Sequence, residues 1–103
     1  GKRDVINKLV KLLAHSISHK IGSIVNKEDP YAERYSKESI NFFNLAKQAS
    51  LEENWNNYDK KEIRVKLRKK LNEELGSKIF LDEKKFDFMD GEIAKALKEL
   101  GLY

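Results

Sequence analysis

The sequence predicts an all-α fold, a four-helix bundle-like single domain covering residues 1–103. Three observations carry that expectation. Apolar residues recur at three- and four-residue steps along most of the chain, the period of a helix face and not of a strand. Turn-forming residues separate these periodic segments at Asn26–Pro30, within Leu51–Tyr58, at Gly76 and at Gly101. A length of 103 residues suits one hydrophobic core and not two, and a 40% apolar share that includes Trp55, four Tyr and five Phe is enough to form it.

The first helix is predicted over residues 4–26. Ile6, Leu9, Val10, Leu13, Ile17, Ile21 and Ile24 fall on one stripe, which leaves Lys8, Lys11, His15 and His19 on the opposite, basic face. Gly22 lies off the stripe and weakens the helix locally. Asp29 is placed to cap a second helix over 30–50, with Pro30 in a first turn that does not use the N–H that proline lacks. The buried stripe of that helix is expected to be Tyr31, Tyr35, Phe42, Leu45, Ala46 and Ala49, flanked by Ile40 and Phe43, with Glu38 near its edge. Trp55 and Tyr58, in the loop that follows, should fold back onto the bundle.

A third helix over 60–75 is expected from the apolar line Ile63, Leu67, Leu71 and Leu75. Asp59 with Glu62 has the spacing of a capping box at its start, and Gly76 is placed to end it in the left-handed conformation. Ile79-Phe80-Leu81 is a packed connector, because a lone strand would leave its backbone groups unpaired. Asp82 then caps a last helix over 83–100 carrying Phe86, Met89, Ile93, Leu97 and Leu100, ended by Gly101 and open to a break at Asp90-Gly91.

Several function classes are disfavoured by composition. The absence of Cys excludes disulfides, thiolate zinc sites and cysteine nucleophiles, and fits a cytoplasmic location. Lys8, Lys11, His15, His19 and Lys20 interrupt the apolar stretch Val5–Val25, so no membrane partner is expected. No cofactor motif is present, and Ser16, Ser18 and Ser23 have no acid beside them to activate a nucleophile. Glu38, Asp87 and Asp90 show no pairing of the kind acid–base catalysis requires. His15 and His19 stand one turn apart, as a metal-binding pair would. The residues between them are Ser16, Ile17 and Ser18, and Lys8 and Lys11 would repel a cation, so the expectation is no metal and two solvated imidazoles that assist anion binding.

Net charge is a mild +4, which permits a polyanionic partner without demanding one. The sharpest asymmetry is the run Lys60–Lys70, with Lys60, Lys61, Arg64, Lys66, Arg68, Lys69 and Lys70. With Leu67 inward, Lys61, Arg64 and Arg68 share one flank that could track a phosphate backbone. The candidate nucleic-acid-binding residues are therefore Lys61, Arg64, Arg68 and Lys69 with Lys8, Lys11, His15 and His19. The function expected from them is a non-catalytic helical module associated with DNA, RNA or a nucleic-acid-processing complex. A second reading is a protein-interaction adaptor or accessory subunit, docking on a larger protein partner through spare apolar surface such as Ile79–Leu81. An RNA-cleaving enzyme using His15 or His19 with Arg64 or Arg68 has the least support.

Overall fold

The computed structural model describes all residues 1–103 and contains four α-helices and no strand. They are α1 (Lys2–Val25), α2 (Ala32–Ser50), α3 (Asn57–Ser77) and α4 (Met89–Glu99), with a 3₁₀ helix, Glu83–Phe88, leading into α4. At 1.5 Å per residue α1 rises about 36 Å, nearly the whole of the 40 Å long axis. It is the central element, with α2 packed on one side and α3, the 3₁₀ helix and α4 on the other. No Cα of α2 comes within 8 Å of α3 or α4, so among the helices only α1 holds α2.

Two kinds of interface result. Toward α3 and α4, the stripe Ile6, Leu9, Leu13, Ile17 and Ile21 is buried together with Ile63, Leu67, Leu71, Leu75, Met89, Ile93 and Leu97. Large aliphatic side chains meet there, and each one fully buried contributes about 1.5–3 kcal/mol. Toward α2, the contact combines small residues with the Tyr35 and Phe42 rings, which lie against His15 and His19. Ser16 Oγ donates to the Ser39 carbonyl at 2.8 Å, Ser39 Oγ donates to the Ser16 carbonyl at 2.7 Å, and Ala46 and Ala49 are buried beside them. Short side chains let the two backbones approach, and the reciprocal bonds satisfy both buried hydroxyls.

Because α2 meets only one neighbour, its buried strip is narrower than the periodicity implied. Tyr31 and Leu45, expected inside, and Ile40, expected at the flank, are exposed, and Phe42 and Phe43 are half-buried. Regular helix begins at Ala32 and not at Pro30, after a turn in which Asp29 Oδ1 accepts the Tyr31 N–H at 2.8 Å. Gly22, expected off the packed side of α1, is buried between Tyr35 and Leu81. The indole N–H of Trp55 donates to the Ser50 carbonyl at 2.8 Å and closes the C-terminus of α2, whereas Tyr58 stays exposed.

The third helix starts three residues earlier than expected. Asn56 is its N-cap, its Oδ1 accepting the Asp59 N–H at 2.8 Å while Asp59 Oδ2 accepts the Asn56 N–H at 3.0 Å. The capping box is Asn56 with Asp59, one turn before the Asp59–Glu62 pair. Gly76 is not left-handed, and the helix continues to Ser77. Lys85 provides the stop, its buried Nζ donating to the carbonyl of Lys78, the C-cap residue, at 2.9 Å, where the helix dipole favours a cation. In the connector only Leu81 is buried, and Ile79 and Phe80 are exposed.

The last helical segment is divided at Phe88–Met89, not at Asp90-Gly91. Asp90 and Gly91 lie in the first turn of α4, where an acidic side chain complements the dipole. Asp82 caps the 3₁₀ helix by accepting the Lys84 N–H at 2.9 Å. Gly101 has φ 72°, as its position predicts, and the Leu102 N–H bonds the Leu97 carbonyl at 2.7 Å while the Gly101 N–H bonds that of Lys98 at 3.1 Å. This Schellman ending turns Leu102 back into the core.

Candidate nucleic-acid interface

The basic residues of α3 separate onto two edges because Leu67 and its neighbours one turn away point inward. On the edge beside α1, Lys66, Lys69 and Lys70 join Lys11 to line a shallow open groove of about 360 Å³ that also includes Asn7, Val10 and Glu73. Lys66 is tied down, its Nζ lying 2.8 Å from Glu62 Oε2 and 3.3 Å from Asn7 Oδ1. Lys11, Lys69 and Lys70 have no carboxylate within 4.0 Å. On the edge toward α4, Arg68 is paired with Asp90 at 3.0 Å, and Lys61 and Arg64 are exposed with no carboxylate partner.

The eight residues expected to bind together are thus distributed. Lys11 and Lys69 share the α1–α3 groove, Lys61 and Arg64 lie on the other flank of α3, and Lys8 faces the end of α2, 2.6 Å from Glu52 Oε2. The groove also recruits Lys66 and Lys70, which were not on the expected list. Their spacing of four residues places them on one edge of α3, but only the packing of Asn7 against Lys66 shows that this edge faces α1.

His15 and His19 are half-buried beneath α2 and not openly solvated. Phe42 of α2 lies against both imidazoles, with ring centroids 5.3 and 5.4 Å away, and Tyr35 meets His19 edge-on. His19 Nδ1 donates to the His15 carbonyl at 2.6 Å, and its Nε2 lies 3.0 Å from Glu38 Oε2. Glu38 joins His19 of α1 to Arg34 of its own helix. His15 Nδ1 lies 2.8 Å from Glu74 Oε1 of α3 without hydrogen-bond alignment, and that buried oxygen has no hydrogen-bond partner. The two rings therefore reach toward different helices and do not converge on a common ligand.

Ion pairs at the start of α1 position the groove. Lys2 Nζ bonds Asp59 at 2.8 Å and Arg3 approaches Glu62 at 3.4 Å, joining α1 to the first turns of α3. The Lys2 hydrogen bond, then that of the Asn56 N–H, holds the Asp59 carboxyl below its ordinary range. The Lys66 hydrogen bond, helped by the Arg3 charge, does the same for Glu62. Glu62 neutralises Lys66 and leaves the three unpaired lysines as the cationic part of the groove.

No protein-family model matches the chain, and no curated protein or solved structure matches it either. No helix is long and apolar enough to cross a membrane. Function therefore rests on the chemistry of the surface.

Proposed function

We propose that this chain is a helical binding module that holds the phosphate backbone of a nucleic acid against the groove between α1 and α3. The observation that carries this reading is the meeting of Lys11 with Lys69 and Lys70, three ammonium groups without carboxylate partners, across two packed helices. Of the seven cations in Lys60–Lys70, only Lys66 and Arg68 are paired with an acid, so α3 retains five uncompensated charges, Lys60, Lys61, Arg64, Lys69 and Lys70. The groove is open along the helix, which suits a chain of phosphates better than a single enclosed anion. Such contacts position a backbone without reading bases, so binding tolerant of sequence is expected.

An NMR titration of the whole chain with single-stranded DNA, single-stranded RNA and duplex DNA tests the proposal. Amide shifts should concentrate at residues 7–11 and 66–73 and collapse as salt is added. Absence of any shift at low salt, or shifts confined to α2 and α4, would overturn it.

A further inference from the structure

A second, larger groove lies on the far side of α1. Its walls are α2 and α4, its floor is α1 at Ser16 and Ile17, and its volume is about 660 Å³. Helices α2 and α4 both flank α1 without touching, so one position in the ring of helices around α1 is vacant. The space matches about one and a half turns of a helix roughly 10 Å across.

The wall on α2 is an unpartnered helical stripe. Ile40, 59% exposed, and Phe43 line the groove, and Leu51 at the C-cap of α2 is 80% exposed. On α4 the small side chain of Ala96 leaves room opposite. The polar floor makes no demand on a ligand. The hydroxyls of Ser16 and Ser39 each donate to the other residue's carbonyl, and the buried Glu92 carboxylate is met by Lys20 at 2.5 Å and Lys95 at 3.4 Å.

Charge selects the occupant. The lining holds Lys20, Lys47, Lys95 and Lys98 against Glu92 and Glu99, and Glu92 is already neutralised within the molecule. Lys47 and Lys98 have no carboxylate within 4.0 Å and stand on opposite walls, with Lys98 lying over the Tyr103 ring at 4.7 Å. The net charge of +4 carried by each copy of this chain disfavours self-association. A nucleic acid has no apolar stripe to place on Ile40 and Phe43. We infer that the α2–α4 groove is the docking site for an acidic amphipathic helix of a protein partner. Its apolar face would lie on Ile40, Phe43 and Ala96, and its Asp or Glu flanks would face Lys47 and Lys98, the helix-in-groove mode of recognition.

The test is a selection on the whole chain from a displayed library of amphipathic helices with a fixed leucine stripe and flanks randomised between Glu and Lys. Enrichment of Glu is expected. The selected peptide should lose at least about tenfold in affinity with Ile40→Glu, and again with Lys47→Glu plus Lys98→Glu, while Lys69→Glu in the other groove leaves it within about twofold. These substitutions are all at exposed positions, and circular dichroism checks that each variant stays helical. Three results would each overturn the inference: no enrichment or enrichment of Lys, binding abolished by Lys69→Glu but not by Ile40→Glu, and a dimer in sedimentation that Ile40→Glu dissolves. None depends on whether the α1–α3 groove binds nucleic acid.

Discussion

Changing Lys11, Lys69 and Lys70 together to Gln should remove most of the salt dependence of nucleic-acid binding. Each lysine that neutralises a phosphate of duplex DNA contributes about −0.9 to the slope of log K against log salt, so three give about −2.7. For a single strand the contribution is about −0.7 each, or about −2.1 in all. Raising salt from about 50 to about 200 mM should then weaken duplex binding roughly 40-fold. Lys69→Gln alone should flatten the slope by about 0.9, whereas Lys66→Gln should change it little, because Glu62 and Asn7 already hold that ammonium. Fluorescence anisotropy of a labelled duplex across a potassium chloride series measures the slope directly. A wild-type slope near zero, or a triple variant that keeps the wild-type slope, would refute the reasoning.

Four further outcomes follow from the fold. Ser16→Ala with Ser39→Ala removes two buried hydrogen bonds at a cost of about 2 kcal/mol in urea unfolding, since both carbonyls keep their helical partners. Hydrogen exchange in that variant should accelerate in α2 ahead of α1 and α3, and uniform acceleration would count against the one-sided attachment of α2. The lowered folded-state value of Asp59 means that its contribution is complete above its unfolded value and is lost as pH falls through the folded one. Asp59→Asn should therefore lose less stability than wild type between about pH 5 and pH 3, and parallel acid profiles would contradict this. Gly101→Ala should cost about 1–2 kcal/mol through its left-handed φ alone, because a Cβ there meets open space, and an unchanged melting temperature would disprove it. Lys85→Met keeps the aliphatic stem but removes a charged bond to the Lys78 carbonyl, with an expected loss of about 1.5–3 kcal/mol; a neutral result would show that the ammonium does not cap α3.

The parts legible in the sequence are those where large aliphatic residues repeat. The Ile6–Ile21 stripe and the Ile63–Leu75 line are buried as their spacing requires, and Gly101 ends the last helix as its position suggests. What misled was the burial of small and polar residues. Ser16, Ser18 and Gly22 let α1 be covered on more than one side, so the face holding His15 and His19 became an interface. The start of α3 was ambiguous because Asn56 with Asp59 and Asp59 with Glu62 present the same spacing to a capping rule, and geometry chose the earlier pair. For the surface, the sequence shows how many cations α3 carries but not which have partners. The pairing of Lys8 with Glu52 and Arg68 with Asp90 spans loops and helices, while the meeting of Lys11 with Lys69 depends on how α1 lies on α3.

The attachment of α2 to a single neighbour also bears on how the sequence can drift. A residue of α1 answers to two sides of the molecule at once, so its replacement needs compensation on both. A residue on the inner face of α2 has only α1 to accommodate it, and one matching change there restores the fit. Across diverged relatives, then, correlated substitutions between helices that involve α2 should map to α1 and to neither α3 nor α4, and α2 should accumulate change faster than the helix that holds it.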